Sequence, residues 1–130
     1  MIFIDTSAFY ALVNREDPNY KKAASLLEAL LDSHEELVTH NYLFVESCAL
    51  IHRRMGLAIV RQFYRDIYRL CRLFFVSQSQ HERAAKTYIH QEGSRYSLVD
   101  CVSFEIMKTH GIKRCFAFDD DFKKRGFEVI

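Results

Sequence analysis

Two kinds of hydrophobic pattern alternate along the chain. Short apolar runs, typical of buried strands, lie at residues 1–5, 36–40, 72–77, 113–118 and 127–130. Between them the spacing is that of helices with one apolar face, over residues 7–14, 20–34, 41–56, 57–73, 81–93, 97–111 and 119–126. Strands separated by helices join through right-handed crossovers into a parallel sheet. The pattern therefore predicts an α/β fold of three layers, α/β/α, with a central parallel sheet of about five strands.

Some helix boundaries can be predicted from the residues at the helix ends. Asn41 can cap the helix that Gly56 ends. By contrast, no proline or glycine separates the helical pattern of 57–73 from the strand at 72–77. These two elements overlap, so their boundary stays open.

The composition supports one globular domain that spans residues 1–130. Of the 130 residues 49% are apolar, and a single proline and four glycines leave no room for a flexible linker. No apolar run approaches the roughly 18 residues of a membrane span, and the N-terminus lacks the positively charged start of a secretory signal. We therefore expect a soluble, cytoplasmic protein with no membrane partner.

Net charge and cysteine spacing exclude two further classes of protein. A formal charge of +1 is too small for a generally basic nucleic-acid binder, although it permits a local basic face. The cysteines form no C-x-x-C pair and have no histidine at a zinc-binding distance in sequence. We expect all four, Cys48, Cys71, Cys101 and Cys115, to be reduced thiols in the core.

Acidic residues stand where predicted strands end. In the stretch FAFDDDF, Asp119 directly follows the fourth apolar run, and Asp5 closes the first. Glu46 lies in the second turn of the helix after the second strand, and Asp100 in the first turn of the helix that Ser97 opens. Because functional groups of an open parallel sheet gather beyond the carboxyl ends of its strands, we expect these four acids at one edge of the sheet.

Each acid also has a purely structural explanation. Asp5 can cap a helix, and Asp100 and Asp119 can be first-turn acids that the helix dipole favours. Glu46 fits this explanation poorly because the apolar residues Phe44 and Val45 precede it. The set as a whole therefore favours a shared site.

Converging carboxylates require a cation. A pair about 4 Å apart costs on the order of 4 kcal/mol at an effective dielectric constant near 20. No lysine or arginine adjoins Asp5, Glu46 or Asp100 in sequence, and a set of oxygen ligands suits Mg²⁺ or Mn²⁺. Such an ion activates water and binds phosphate oxygens, which points to phosphodiester hydrolysis.

Together these residues resemble the PIN domain family, especially the small single-domain toxins of the VapC type. The resemblance rests on FIDTSAF at the N-terminus, the helical Glu46, SLVD at 97–100 and FAFDDDF at 116–122, in that order along the whole chain. It implies a PIN-like fold and a ribonuclease that uses Mg²⁺ or Mn²⁺. It also implies that the metal-binding and catalytic residues are Asp5, Glu46, Asp100 and Asp119.

The resemblance extends to residues around these acids. Thr6 and Ser7 fall in the family's Asp-Thr-Ser/Asn element, which supports the site. Phe122 matches the aromatic residue three positions after the last acid, and Asp121 is either a supporting acid or the start of a helix. At Ala117 the chain departs from the family, which often has a threonine or serine there, so the surroundings of Asp119 are open.

RNA is the substrate that the resemblance implies, and helix 57–73 offers a basic row for it. The row comprises Arg61, Arg65, Arg69 and Arg72, interleaved with Tyr64 and Tyr68. Arginines flanked by aromatic rings can hold a phosphate backbone and stack bases. A solvated helix face paired with nearby acids explains the same row, and Arg53 and Arg54 are further candidates for RNA contact.

Two functions remain after this reading. The first is a metal-dependent endoribonuclease that forms the toxin half of a toxin–antitoxin pair, and the second is a PIN-like module that binds metal and RNA or protein without cutting. The four acids favour the first. A receiver domain would need an acidic pair after its first strand, where Asp5 is followed by Thr6. The apolar faces of residues 20–73 suit an antitoxin helix or a second copy in a homodimer, or they belong to the core.

Overall fold

The computed structural model describes all residues from 1 to 130, and strands and helices alternate as the hydrophobic pattern predicts. The strands are β1 (Ile2–Ile4), β2 (Leu37–His40), β3 (Cys71–Phe74), β4 (Arg114–Phe116) and β5 (Glu128–Val129). The helices are α1 (Thr6–Val13), α2 (Tyr20–Asp32), α3 (Asn41–Met55), α4 (Leu57–Leu70), α5 (Gln78–Ile89), α6 (Leu98–Thr109) and α7 (Asp121–Lys124). None of these helices combines the length and the hydropathy that a membrane span requires.

The five strands form one sheet in the order β3-β2-β1-β4-β5, and every neighbouring pair is parallel. The predicted three-layer α/β/α fold is confirmed. The chain moves outward from β1 to β3 and then returns to place β4 on the other side of β1. The strand order therefore reverses between β1 and β4, which is where open parallel sheets form a binding crevice.

Right-handed crossovers distribute the helices over the two faces of the sheet. The first four helices pack against one another, α1 on α2 and α3, and α3 on α4. On the opposite face α5 packs along α6. Helices α3 and α6 also touch, so the two helical layers meet close to the crevice.

The central strand β1 is the centre of a single apolar core. Its residues Ile2, Phe3 and Ile4 are at most 1% exposed. The ring of Phe3 lies 5.9 Å from that of Phe122, which is itself buried. A strand that is apolar at consecutive positions is expected where a parallel sheet is covered on both faces.

The cysteines are free thiols, as expected. Cys71, Cys101 and Cys115 are buried, whereas Cys48 is only partly buried. Burial raises the pKa of Cys71 and of Cys115 to about 12. These thiols are therefore protonated and unreactive at neutral pH.

The predicted cap at Asn41 is wrong by one residue. His40 is the N-cap of α3, because its Nδ1 accepts the N–H of Leu43 at 3.2 Å. Asn41 is the first residue of the helix, and its side-chain oxygen accepts the N–H of Val76 at 2.9 Å. Asn41 thus ties the start of α3 to the loop after β3.

Two other boundaries differ from the hydrophobic pattern. Helix α4 ends at Leu70 and β3 begins at the next residue, because pairing with β2 takes over the chain from Cys71. Helix α5 begins at Gln78 rather than at 81, since Ser77 and Gln80 form a capping box with hydrogen bonds of 3.2 and 2.9 Å. Ser77 and Gln80 have the spacing of a capping box, a sequence signal that periodicity overlooks.

Candidate active site

A cleft of about 520 Å³ opens at the carboxyl ends of β1 and β4. The predicted acids Asp5, Glu46, Asp100 and Asp119 all line it, together with Thr6, Ser7, Ala49, Leu50 and Arg53. Two of the acids follow strands and two are borne by helices α3 and α6. The topology therefore brings together carboxylates that are far apart in sequence.

Asp5 is the most buried of the four acids, at 6% exposure. Its Oδ2 accepts the N–H of Ser7 at 2.9 Å and the Ser7 hydroxyl at 2.6 Å, so Asp5 is also the N-cap of α1. The Ser7 hydroxyl accepts the N–H of Phe118 at 3.0 Å. Ser7 therefore joins the acid after β1 to the residue just before Asp119.

Thr6 holds the acid of α3. Its hydroxyl donates to Glu46 Oε2 at 2.9 Å and lies 3.0 Å from the hydroxyl of Ser47, which is buried. A hydroxyl at the start of α1 thus fixes a carboxylate forty residues further along the chain. The predicted supporting position of Thr6 and Ser7 beside the acids agrees with these contacts.

Asp100 forms a capping box at the start of α6. Its Oδ2 accepts the N–H of Ser97 at 2.7 Å, and its own N–H donates to the Ser97 hydroxyl at 3.1 Å. One oxygen of Asp100 therefore has the structural role expected of an acid in the first turn of a helix.

Asp119 lies at the exposed rim of the cleft. Its Oδ1 accepts the N–H of Asp121 at 3.2 Å. Asp121 itself begins α7 and pairs with Arg95, whose Nε lies 3.5 Å from Asp121 Oδ1. Asp121 is thus engaged by an arginine and lies outside the cleft lining.

One arrangement is common to the four acids of the cleft. In each carboxylate a single oxygen accepts the hydrogen bonds described above: Asp5 Oδ2, Glu46 Oε2, Asp100 Oδ2 and Asp119 Oδ1. The second oxygen accepts none of them. Since no fully buried side-chain oxygen lacks a partner, the second oxygens of Asp5, Glu46 and Asp100 are accessible to solvent, and Asp119 is exposed as a whole residue.

Burial, with a contribution from neighbouring carboxylates, raises the pKa values of Asp5, Glu46 and Asp119. Desolvation is the main cause for Asp5, where the Ser7 hydrogen bonds oppose it and the Asp100 carboxylate adds to it. Desolvation also raises the pKa of Glu46, again with a contribution from Asp100. At Asp119 desolvation and the charge of Asp5 raise the pKa to about 6. A cluster with these shifts holds uncompensated negative charge, which a bound cation would relieve.

Comparison with known proteins identifies the family of the chain. The model of the PIN domain family matches residues 2–128. The chain belongs to the PIN domain family. It is 32% identical, over its whole length, to the 23S rRNA-specific endonuclease VapC20 of Mycobacterium tuberculosis, 98% of which is aligned.

Solved structures agree with the assignment to the PIN domain. The crystal structure of Mycobacterium tuberculosis VapC20, a sarcin-ricin loop cleaving toxin, superposes with a TM-score of 0.85 at 29% identity, covering 98% of this chain and 96% of that one. VapBC2 from Rickettsia felis, bound to a DNA fragment from its promoter, superposes with a TM-score of 0.71 over 100% of this chain and 98% of that one. At 11% identity this second likeness concerns the fold alone.

The donor set of this PIN domain fits a hard divalent cation. All the groups at the cleft that can serve as ligands are carboxylate or hydroxyl oxygens. No three acidic, imidazole or thiol side chains lie close enough to coordinate one ion directly. This spacing suits a hydrated Mg²⁺, which keeps several waters and binds through one or two carboxylates.

A buried hydrogen-bond chain fixes the two helices that carry Glu46 and Asp100. His40 Nδ1 accepts a backbone N–H, so the ring proton is on Nε2, which donates to Ser103 Oγ at 2.8 Å. The Ser103 hydroxyl in turn donates to the carbonyl of Val99 at 3.0 Å. Burial lowers the pKa of His40 to about 3, so the link is uncharged. His40 thus sets the spacing of α3 and α6, a role that its sequence position did not reveal.

The predicted arginines lie in two different places. Arg61, Arg65 and Arg69, here called the arginine row, are exposed on α4 and form no salt bridge. None of them lines the cleft. Arg72 lies on β3, where it pairs with Glu36 at 3.3 Å. The arginine row therefore forms no salt bridge, which contradicts its explanation as a solvated helix face whose charges pair with nearby acids.

Arg53 is the one lysine or arginine that lines the cleft with the acids. It lies seven residues after Glu46, two turns along the same face of α3. Arg54, the other candidate on α3, does not line the cleft. Helix periodicity counted from Glu46 distinguishes the two arginines, because only Arg53 is seven residues away and therefore on the same face.

Two residues near Asp119 in sequence, Ala117 and Phe122, are buried. Ala117 is 3% exposed and has no hydroxyl, and Asp119 accepts only the N–H of Asp121 among the hydrogen bonds present. Phe122 packs between Phe3 and Phe104, with ring centroids at 5.9 and 5.3 Å. The turn after β4 is thus anchored by an aromatic residue.

Proposed function

We propose that this PIN domain is a divalent-metal-dependent endoribonuclease and the toxin component of a toxin–antitoxin system. The observation that carries the proposal is that four carboxylates, those of Asp5, Glu46, Asp100 and Asp119, line one cleft, and that in each of them one oxygen accepts no hydrogen bond from the fold. A structural role at a helix start needs only one carboxylate oxygen, and Glu46 has no such role. Four acids with a free oxygen at one crevice are better explained by a shared cation.

The charged and hydroxyl residues of the cleft each have a part in the proposed reaction. Asp5, Glu46, Asp100 and Asp119 would hold Mg²⁺ or Mn²⁺, directly or through bound water, and a bound ion would supply an activated water and neutralise phosphate charge. Thr6 and Ser7 fix the direction of two carboxylates through their hydroxyls. Arg53 offers the cleft a guanidinium that can bind a phosphate oxygen.

RNA is the proposed substrate. VapC20 of Mycobacterium tuberculosis is named for cutting 23S rRNA and its crystal structure for cutting the sarcin-ricin loop. The likeness to VapC20 extends over the whole chain, so an RNA hairpin of that type is the first substrate to test. An RNA substrate also places the proposed activity in the cytoplasm. The unpaired arginine row supports RNA binding, since free guanidinium groups attract a phosphate backbone.

We also propose an antitoxin protein as partner and a homodimer as the assembled state. Large apolar side chains stand on the surface, among them Val45 on α3 at 65% exposure and Phe75 at 72%. On α4, Tyr64 and Tyr68 are about half exposed, and their rings are tilted by 38° with centroids 4.6 Å apart. Exposed apolar groups of this kind favour protein contacts. Light scattering of the purified chain, alone and with a co-expressed antitoxin, measures both assemblies.

The decisive experiment measures RNA cleavage by the parent, by Asp119→Asn and by Asp120→Asn. Asp120 adjoins Asp119 but is exposed and outside the cleft, so it is a matched control for the loss of one charge. We expect the parent and Asp120→Asn to cut in Mg²⁺ or Mn²⁺ and to stop in chelator. Asp119→Asn should be slower by at least about 10³-fold, because it weakens the binding of the ion that activates the water.

The alternative is a PIN-like module that binds metal and RNA without cutting. It predicts metal-dependent RNA binding by the parent with no cleavage products under any metal. Equal cleavage by the parent and Asp119→Asn would exclude the proposed site even if the protein is a nuclease.

A further inference from the structure

A second group of cations lies apart from the arginine row, beside α6 and α7. Here an open groove of about 410 Å³ is lined by His90, Gln91, Arg95, Tyr96 and Arg125 among others. None of these residues belongs to the acidic cleft. The groove therefore requires its own explanation.

The centre of the groove is an aromatic ring held in a fixed position. Gln91 Nε2 donates to the carbonyl of Tyr96 at 2.8 Å, and Gln91 Oε1 accepts the N–H of Tyr96 at 3.0 Å. The Tyr96 ring also packs edge-on against Phe104, with centroids 5.2 Å apart. A ligand that contacts Tyr96 thus meets a group that is already ordered, which lowers the entropic cost of binding.

Two guanidinium groups lie over this ring. Arg95 is 5.4 Å and Arg125 is 5.5 Å from the centroid of Tyr96, and Arg125 is also 5.1 Å from that of Phe104. Arg95 is paired with Asp121, whereas Arg125 is exposed and forms no salt bridge. Arg125 is therefore a cation that is held against a flat aromatic surface and forms no salt bridge, and the acid Glu92 also lines the groove.

The groove is connected to the acidic cleft by single contacts. Asp121, the partner of Arg95, donates its N–H to Asp119. Cys101 lines the groove and is the residue next to Asp100. The groove therefore borders the part of the cleft that Asp100 and Asp119 form.

We propose that Arg125, with Arg95 and Tyr96, forms a subsite for a phosphodiester of single-stranded RNA and for the base attached to it, beside the bond that is cut. This inference rests on the proposed function. A guanidinium binds phosphate through two parallel N–H groups, and aromatic and guanidinium planes stack on unpaired bases. An acidic peptide would use the charge of Arg125 but not the planar ring beside it.

The test compares three charge variants in their binding of a single-stranded oligoribonucleotide in chelator, where no cutting occurs. Arg125→Gln keeps most of the aliphatic stem over the rings and removes the charge, and Arg125→Lys keeps the charge. Lys123→Gln is the control, from the short helix α7 that Arg125 directly follows. We expect Arg125→Gln to weaken affinity about 5- to 10-fold at about 50 mM salt and to reduce the slope of log affinity against log salt by about 0.7. Arg125→Lys should keep the slope but lose part of the affinity, and Lys123→Gln should match the parent.

A second measurement locates the subsite. Cleavage substrates are shortened by one nucleotide at a time on either side of the cut bond, with metal present. For the parent, loss of one particular nucleotide should lower kcat/KM, whereas for Arg125→Gln the same truncation should change it little, because the contact is already absent. Melting curves show whether each variant is folded.

The outcomes separate this inference from the proposed function. If the parent neither binds nor cuts RNA, both fail. If the parent cuts RNA while Arg125→Gln equals Lys123→Gln in affinity, salt slope and truncation response, only the subsite is wrong.

Discussion

The acidic cleft and the arginine row of α4 are both clusters of one charge, but they are constructed in opposite ways. In the cleft each carboxylate accepts a hydrogen bond from a hydroxyl or a backbone N–H. In the row the guanidinium groups have no carboxylate partner and stand in solvent. Fixed groups can set the geometry of a reaction, whereas mobile groups contribute mainly a field that attracts the substrate. Changes in the cleft should therefore alter rate, and changes in the row should alter affinity.

The largest expected effect is that of Thr6→Val, which tests whether the fixed groups of the cleft determine the cleavage rate. Valine has nearly the shape of threonine but cannot donate to Glu46, so this carboxylate loses its fixed direction. We expect the cleavage rate at saturating RNA to fall about 10- to 100-fold, since small misplacements of reacting groups have effects of this size. RNA affinity in chelator should stay the same.

The matched control is Thr6→Ser, which keeps the hydroxyl and should retain most of the rate. A loss of RNA affinity in Thr6→Val without a loss of rate would show that the hydroxyl network does not position catalytic groups.

Arg65→Ala tests the other half and should have a smaller effect. Loss of one exposed, unpaired cation should weaken RNA affinity about 3- to 10-fold at low salt and flatten the salt dependence by about one unit per lost phosphate contact, while metal binding stays intact. Arg69→Ala should behave in the same way. Arg72→Ala is the control, because Arg72 already pairs with Glu36. If Arg65→Ala and Arg72→Ala have equal affinities at low salt, the row is only a solvated face.

Asp119→Asn in chelator should give a small change in stability of unusual sign. The amide keeps an oxygen for the N–H of Asp121 and removes one charge from the cluster. We expect the variant to be more stable than the metal-free parent by on the order of 1 kcal/mol, after allowing for solvent screening at the exposed rim, or about 3 to 5 °C in melting temperature. Metal at a hundred times its dissociation constant should stabilise the parent by about 2.7 kcal/mol and the variant much less. An acid that only caps a helix would instead lose about 0.3 to 1 kcal/mol on neutralisation.

The difference in stability between Asp119→Asn and the metal-free parent should also depend on pH. The pKa of Asp119 is about 6 in the folded protein and about 3.9 in an unfolded chain, so the folded parent takes up a proton first and gains stability as the pH falls from 7 to 4. The advantage of Asp119→Asn should therefore shrink over this range and vanish near pH 4.

His40 acts in the opposite direction, since its pKa of about 3 is below the unfolded value of 6.5 and stability is lost as the pH falls below 6.5. That loss is common to both proteins and cancels in the difference, which melting curves in chelator measure directly.

The sheet and the place of the acids could be predicted from the sequence because both depend on strong, local signals. Ile2 to Ile4 form an apolar run that can only be a buried strand, and a charged residue directly after such a run must emerge at the edge of the sheet. Asp5 and Asp119 were predictable for this reason. Glu46 was predictable because a carboxylate after apolar residues on a helix is costly unless it has a specific partner.

Other features depend on contacts between distant residues, which periodicity does not contain. His40 caps α3 because Ser103, on another helix, holds its ring in place, and nothing around His40 in sequence indicates this. The arginine row was predicted from spacing alone, but its distance from the cleft follows from how α4 packs beside α3. The groove around Tyr96 depends on Gln91 folding back over a short loop. In each case a single side chain from elsewhere determines the local structure.

In each carboxylate of the cleft one oxygen accepts hydrogen bonds of the fold and the other does not. This difference also constrains which mutations can abolish the proposed toxicity. Consider bacteria that carry this gene without an antitoxin and are selected for survival. Asparagine can replace Asp5, Asp100 or Asp119, keep the oxygen that the fold uses, and turn an amide NH₂ toward the cation, so the surviving cells would contain abundant, folded, harmless protein. Alanine at Asp5 removes the N-cap of α1 as well, at a cost of about 0.5 to 2 kcal/mol, and those survivors should contain less protein. Survivors sorted by the amount of soluble protein would therefore separate into these two classes, with single-base changes from aspartate to asparagine concentrated in the abundant one.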